Sequence, residues 1–397
     1  MISDSLTPFK LPMIDSVIES GVRVQILHES DLNAQSLAAW DDLERHAISS
    51  TPYLSRAFVE AAIAARLSQH EPIYIVIEQD NRWIGLGVFE SVAATRAVPV
   101  PHLRSWRTNH TFLDGMLIRT GEEQLALNAF WDFMKNKHHS WYAVEFRQLA
   151  QDDGTSKLIE NSAAEAGVEF VKGPSSLRAS LEFSLDNSEH TNGISKRRAR
   201  SLRQSWNWLS KQGKVSFCVQ RNRKKIKQSA LRFLELEAMG WKSNAGTALA
   251  SHETEKKFFI DLVDRFAQQG RVFFLELSID ETVIASVVHF VAGDVSYAFK
   301  LGWDPSFSRG CPGYQIKAQT LFHAQRLFPH LKMIDSCACP GSFIEHVWGT
   351  RREIAPQIFI TSRLASIACS MLGGIKWIRD RGCQFFHISR GPHDADC

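Results

Sequence analysis

The stretch YAFKLGWDPSFSRGCPGYQIKAQTLFHAQ, from Tyr297 to Gln325, can fold in few ways. Tyr297, Phe299 and Leu301 alternate with Ala298 and Lys300, which predicts a strand with aromatic side chains on a pleated surface. Asp304-Pro305 ends that run, and Ser306, Ser308, Arg309, Gly310, Pro312 and Gly313 form a loop. Ile316, Thr320, Ala324 and Leu327 then recur at helical spacing, predicting a helix through Gln315-Arg326. A strand, a glycine-containing loop and a helix start present backbone N–H groups along a helix dipole. That arrangement receives a phosphate or pyrophosphate. Arg309 adds a full charge able to make a bidentate contact. The same spacing also describes an ordinary strand-to-helix turn with a proline, so both readings stand at this point.

The 397-residue chain, 44% hydrophobic and 22% charged, has the composition of a soluble protein of about two domains. It holds no apolar run of membrane-spanning length, and MISDSLTPFK lacks the basic start and apolar core of a signal peptide. Seven scattered cysteines point to reduced thiols and a cytoplasmic location. Cys337 and Cys339 with His346 offer too few ligands at poor spacing for zinc, so no metal is expected. The net charge is only +3, yet no acidic residue lies between Glu189 and Glu235, where thirteen Lys and Arg fall. So lopsided a patch attracts an anionic partner, whether a phosphorylated cofactor, a nucleic acid or a membrane surface.

The first forty residues carry little signal. Ser55 is placed to cap a helix holding Leu54, Phe58, Ala62 and Ala65, and Ile73-Ile77 with Trp83-Phe89 reads as a hairpin. Val98-Pro101 is extended, Glu122-Asn136 and Thr155-Ala166 are helical, and Trp141-Phe146, Val168-Val171 and Ala179-Phe183 are strands. DNSEHTNG, Asp186-Gly193, is a polar linker. After it come the basic helix Ser195-Lys211, the strand Val215-Val219, and helices at Lys225-Met239 and Glu253-Gln268. The hairpin Val272-Ser278 with Thr282-Val291 leads into the opening stretch and the strand Met333-Ser336. PIYIVIEQDNRWIGLGVFES and RVFFLELSIDETVIASVVHF share one plan of strand, acidic turn and strand, so the chain reads as two similar halves. Only the second contains SRGCPGYQ.

LELEAMGWKSNAGTAL (Leu234-Leu249), FKLGWDPSFSRGCPGYQI (Phe299-Ile316) and LKMIDSCACPGSFIEHVWG (Leu331-Gly349) resemble the CelD-like acyltransferases of the GNAT superfamily, relatives of the Fem-type aminoacyltransferases. The basic helix and the following strand, SKRRARSLRQSWNWLSKQGKVSF, and Thr51-Pro52-Tyr53 extend the resemblance over roughly residues 50–360. It implies a mixed α/β fold of two tandem GNAT-like domains: residues 1–185 without a donor turn, 186–365 with it, and a C-terminal tail at 366–397. It also implies an N-acyltransferase, most simply an acetyltransferase. The donor would be acetyl-coenzyme A or another acyl-coenzyme A, and the acceptor an amine on a sugar or other cell-envelope precursor. Arg309, Gly310, Cys311, Gly313, Tyr314 and Gln315 would hold the donor. Cys311-Pro312-Gly313 replaces the family's Ser-Pro-Gly, and residues 308–313 do not satisfy the GNAT signature [QR]-x-x-G-x-[GA]. An aminoacyl-tRNA donor therefore stays open.

Acyl transfer to an amine needs a neutral amine, a polarised thioester carbonyl and a proton donor for the thiolate. Glu237, just before Gly-Trp-Lys, is a candidate base or amine-binding carboxylate, or else a solvated helix residue. Asp335 closes an apolar strand, where a carboxylate needs a purpose or a partner; it is a catalytic candidate or a capping group. His346 is a candidate relay or a surface residue, and Tyr314 a thiolate proton donor or a packing residue. Trp241 and Lys242 are expected to contact the acceptor. Cys311 at a helix start suggests a nucleophile, but no histidine lies nearby in sequence to activate it. The competing class is a nucleic-acid binder, because Trp206 and Trp208 interleave with Arg and Lys in the basic helix; a catalytically inert duplicated scaffold is a third. Leu364-Ile378 with its flanking cations is a candidate for peripheral membrane contact or a docked tail.

Overall fold

A computed structural model describes residues 15–18, 21–95, 97–136, 139–183, 194–239, 246, 248–362 and 365–367. In the first half, β1 (Asp15–Ile18) and β2 (Val22–Leu27) precede α1 (Ala34–His46) and α2 (Arg56–Ala64). Then come β3 (Ile73–Gln79), β4 (Arg82–Val92), β5 (His102–Ser105), β6 (Leu117–Ile118), α3 (Glu123–Lys135) and β7 (Ala143–Ala150). α4 (Gly154–Glu165), β8 (Glu169–Lys172) and β9 (Ser176–Glu182) follow. The second half holds α5 (Lys196–Ser210), β10 (Val215–Gln220), α6 (Arg223–Met239), α7 (Glu253–Gln268), β11 (Val272–Ile279) and β12 (Thr282–Ala292). It continues through β13 (Val295–Trp303), α8 (Pro312–Leu327), β14 (Met333–Asp335) and β15 (Thr350–Ile360).

The expected hairpins and helices form with small shifts in their ends. Ser55 caps α2 as its position predicts, its hydroxyl accepting from the Phe58 N–H at 3.2 Å. Six elements were not expected: β1, β2, α1, β5, β6 and β15. β2 and α1 lie in the stretch that carried little signal, although Val22, Val24 and Ile26 alternate and are buried. β5 follows Pro101. β15 is the longest of the unexpected strands, masked by Arg351, Arg352, Glu353 and Pro356. The proline sits where the β15–β7 register shifts between Ala355 and Gln357, a bulge that tolerates a residue without an N–H.

One sheet runs through the molecule in the order β1-β2-β3-β4-β5-β7-β15-β9-β14-β13-β12-β11-β10. Its two halves repeat. From β2 the pairings run antiparallel, antiparallel, antiparallel and then parallel at β5–β7, and from β10 they do the same, with the parallel pair at β13–β14. A helix connects each parallel pair, α3 in one half and α8 in the other. The halves also exchange strands. β9, from before the linker, pairs with β14, and β15, from the end of the described sheet, pairs with β7. β9 and β15 pair with each other and close the seam.

One apolar core joins the two halves: Trp40, Tyr53 and Phe58 pack in it with Phe258, Phe259 and Phe299. The Phe58 and Phe258 rings are 5.5 Å apart at 88°, an edge-to-face contact. A second core lies under α5 and α8 on the other side of β13. β13 therefore has the first half on one face and α8 on the other.

Candidate active site

The β13–β14 ladder is short. Val295, Ser296 and Tyr297 pair with Met333, Ile334 and Asp335, and there the ladder stops. β13 runs on through Trp303 with β12 as its strand partner, so the sheet opens beside Ala298–Trp303. The simple alternation expected for Tyr297–Leu301 breaks at the same place. Ala298 pairs with His289 and Lys300 with Val288, which makes Phe299 the extra residue of a bulge. Tyr297 and Phe299 face the core shared with the first half, whereas Leu301 and Trp303 pack on the α8 side. Such a bulge re-aims side chains, and it turns Lys300 towards α6, with Nζ 3.6 Å from Glu237 Oε1.

On the α8 side, Asp304 caps the turn Pro305–Gly310, accepting from the Ser306 N–H at 2.9 Å. Cys311 is left-handed, at φ 46° and ψ 57°, and α8 begins at Pro312. Gly310 is buried against α5: a Cβ there would stand 2.2 Å from Leu209 Cδ2. At Gly313 a Cβ would lie 3.3 Å from Leu301 Cδ2, so the helix start sits tight on β13. No acidic side chain lies in the first turn of α8, whereas the equivalent α3 starts with Glu122 and Glu123. A carboxylate there would already offset the positive end of the helix, so only α8 keeps its attraction for an anion.

Arg309 is exposed beside this start, its guanidinium 5.9 Å from the Trp208 ring centre. Tyr314 is buried between the Phe343 ring, centroids 4.7 Å apart, and the Arg198 guanidinium, 4.5 Å from the Tyr314 ring centre. Gln315, expected at the anion, is turned into α5 instead. Its amide donates to the Leu202 carbonyl at 2.7 Å and the Ser205 hydroxyl at 2.8 Å, and its N–H donates to the Cys311 carbonyl at 3.0 Å. Gln315 holds two helices together. Cys311 donates its own N–H to the Ser308 carbonyl at 2.8 Å. His346 ends the turn Phe343–His346 and is exposed.

On the opposite face Glu237 is 2% exposed near the end of α6. One oxygen accepts from the Leu249 N–H at 3.0 Å and the other faces Lys300. Two further groups complete a cluster there. His110, from the loop after β5, puts Nε2 3.6 Å from Glu255 Oε1 of α7. Its ring stacks on Phe258 at 5.4 Å and tilts against Phe299 at 5.7 Å. His110, Glu255 and Lys300 were not foreseen, because only the fold brings the first half's loop to β13. Trp241 and Lys242 lie outside the described residues, just beyond the end of α6.

Asp335 belongs to the seam. It is 0% exposed and held by Arg178 of β9 at 2.5 Å, Arg352 of β15 at 2.9 Å and the Cys337 N–H at 2.8 Å. Burial would raise its carboxyl, but the two guanidinium groups hold it below the ordinary aspartate range. The exchanged strands meet on this one side chain. In the basic helix α5, Lys196, Arg197, Arg200 and Arg203 are exposed, while Trp206 and Trp208 are half-buried and pack on the core.

Residues 195–335 match the family model of an acetyltransferase (GNAT) domain. The GNAT match begins at the cap of α5 and ends with β14, so it takes in the β13–α8 turn, Glu237 and Asp335 but neither His110 nor β15. The crystal structure of FemX is similar over 83% of this chain and 96% of that one, at 13% identity and a TM-score of 0.52, which is a likeness of fold. A tandem GNAT protein from the clavulanic acid biosynthesis pathway is similar over 85% and 99%, at 11% identity and a TM-score of 0.43. Comparison with curated proteins gives no match. With the repeated strand pairings, the fold is mixed α/β with two GNAT-like halves in tandem. No helix among the described residues is long and apolar enough to cross a membrane.

Proposed function

We propose that this chain is an N-acyltransferase that moves an acyl group from acyl-coenzyme A to an amine. The observation that carries this reading is the GNAT-matching unit itself: the sheet opens beside Ala298–Trp303 at the same point where α8 starts with no acidic residue and with Arg309 alongside. In this reading the donor pyrophosphate rests at the start of α8, on Arg309 and the first-turn N–H of Gly313. The thioester lies along the open edge of β13, and the Tyr314 hydroxyl gives a proton to the departing thiolate.

The amine approaches from the α6 and α7 side. Glu237 is better fitted to orient it than to deprotonate it, since its two oxygens are engaged by the Leu249 N–H and by Lys300. An acetyl donor and an amine on a sugar or envelope precursor are the substrates proposed. The test is thiol release from acetyl-coenzyme A in the presence of amino sugars, with mass spectrometry of co-purifying acyl-coenzyme A. Release that depends on the amine supports the reading. A folded chain that neither carries an acyl-coenzyme A nor releases thiol from one contradicts it.

A further inference from the structure

We propose that the acceptor amine gives its proton to His110, so that the first half supplies the base for chemistry carried by the second. The inference rests on the acyltransfer reading above and adds a residue outside the GNAT-matching stretch. His110 is 4% exposed, yet its Nε2 makes no hydrogen bond. Glu255 at 3.6 Å is beyond hydrogen-bond reach. A buried polar atom without a partner is destabilising unless something else satisfies it. Here the ring lies against Phe299, in the part of β13 beyond the end of the β14 ladder.

The loop that carries the imidazole is also held in place. The backbone N–H of His110 donates to Thr108 Oγ1 at 3.0 Å, the Thr108 N–H donates to Thr111 Oγ1 at 3.1 Å, and Arg107 donates to the Thr111 carbonyl at 2.9 Å. Arg178, which clamps Asp335 at the seam, donates to the Phe112 carbonyl of the same loop at 2.9 Å. The loop that carries His110 is therefore tied to the strand exchange that joins the halves.

The charged groups facing His110 are Glu255 of α7, Lys300 of β13 and Glu237 of α6. Burial pushes the imidazole below the usual histidine range, so it is neutral at pH 7 and able to accept a proton. Two carboxylates favour the arrival of an ammonium group. His110 Nε2 takes one proton from it, and the freed nitrogen pair forms the N–C bond at the thioester carbonyl. The C–S bond then breaks with its pair on sulfur, and the second proton lost by nitrogen ends on the thiolate.

The test uses the full chain with acetyl-coenzyme A and two small acceptors. Methylamine is an ammonium ion at neutral pH; hydroxylamine is already neutral. His110→Gln should lower kcat/KM with methylamine by ~10²–10⁴-fold, the usual worth of a general base, and lower it much less with hydroxylamine. Glu255→Gln, which keeps the imidazole, should move the acid limb of the wild-type profile to lower pH, because it removes a charge that favours the imidazolium. A folded His110→Gln chain that transfers to methylamine at the wild-type rate overturns the proposal. So does a wild-type chain that binds coenzyme A but uses neither amine. A wild-type chain that does not bind coenzyme A instead overturns the acyltransfer reading beneath it.

Discussion

The backbone of Glu237 lies directly on Gly302: a Cβ built on that glycine would stand 2.7 Å from the Glu237 nitrogen and 3.0 Å from its Cα. The end of α6 thus crosses β13 at a point where only hydrogen fits, and this approach brings the Glu237 carboxylate to Lys300 on the same strand. Gly302→Ala should push α6 off the sheet and destabilise the chain by about 1–3 kcal/mol, the usual cost of overpacking. Gly154→Ala is the control. It lies at the start of α4, where the nearest atom to a new Cβ is 4.0 Å away, and should be neutral or slightly stabilising. Equal unfolding midpoints in urea for the two variants would contradict the argument.

Glu237→Gln should keep the hydrogen bond from Leu249 and lose the attraction to Lys300. For a group that orients the amine, the expected effect is a rise of roughly tenfold or more in acceptor KM, with coenzyme A affinity unchanged. A fall in kcat at unchanged KM would make Glu237 the base and displace His110 from that role.

Asp335→Asn should cost stability and leave donor affinity intact. Breaking a buried ion cluster by removing one partner costs about 3–5 kcal/mol, because the buried Arg178 loses its carboxylate while Arg352 keeps only Asp152 and Asp153. The pH dependence has a definite sign. The folded carboxyl titrates below the ordinary value of 3.8, so its contribution is present above that pH and is lost as pH falls through the folded value. Urea melts at pH 7 and pH 3 should differ more for the wild type than for the variant.

The donor turn was legible because strand period, loop residues and helix period change in sequence order within one stretch. The seam was not. β15 carries Arg352 inward, where a sequence reading expects an exposed charge, and its partners Asp335 and Asp152 become apparent only once the strands are exchanged. The bulge at Phe299 was hidden for a related reason: the residues alternate, but the register against β12 slips by one, and this slip sends Leu301 and Lys300 to faces the alternation assigns the other way. His110 sat in a loop with no periodicity at all. Its neighbours Glu255 and Lys300 come from elements folded around a different half.

Lys317, one turn into α8, is 1% exposed, with Nζ 5.0 Å from the centre of the Trp348 ring. Burial lowers its ammonium to about 7, whereas the unfolded chain holds that proton to the ordinary lysine value of 10.5. Between these values the unfolded state binds more protons, so folding stability should rise with pH by up to about 1.4 kcal/mol per unit. Lys317→Met should abolish that rise and be the more stable protein at pH 7. Parallel stability curves for the two proteins from pH 7 to 10 would show that Lys317 stays charged.

Calorimetric titration of the full chain with coenzyme A, for the wild type and for Arg309→Ala, tests the donor site most directly. The account predicts one site per chain and a loss of roughly 10–150-fold in affinity for the variant, the equivalent of ~1.5–3 kcal/mol for a charged hydrogen bond. No binding to the wild type, or equal affinity in a folded Arg309→Ala chain, would contradict it.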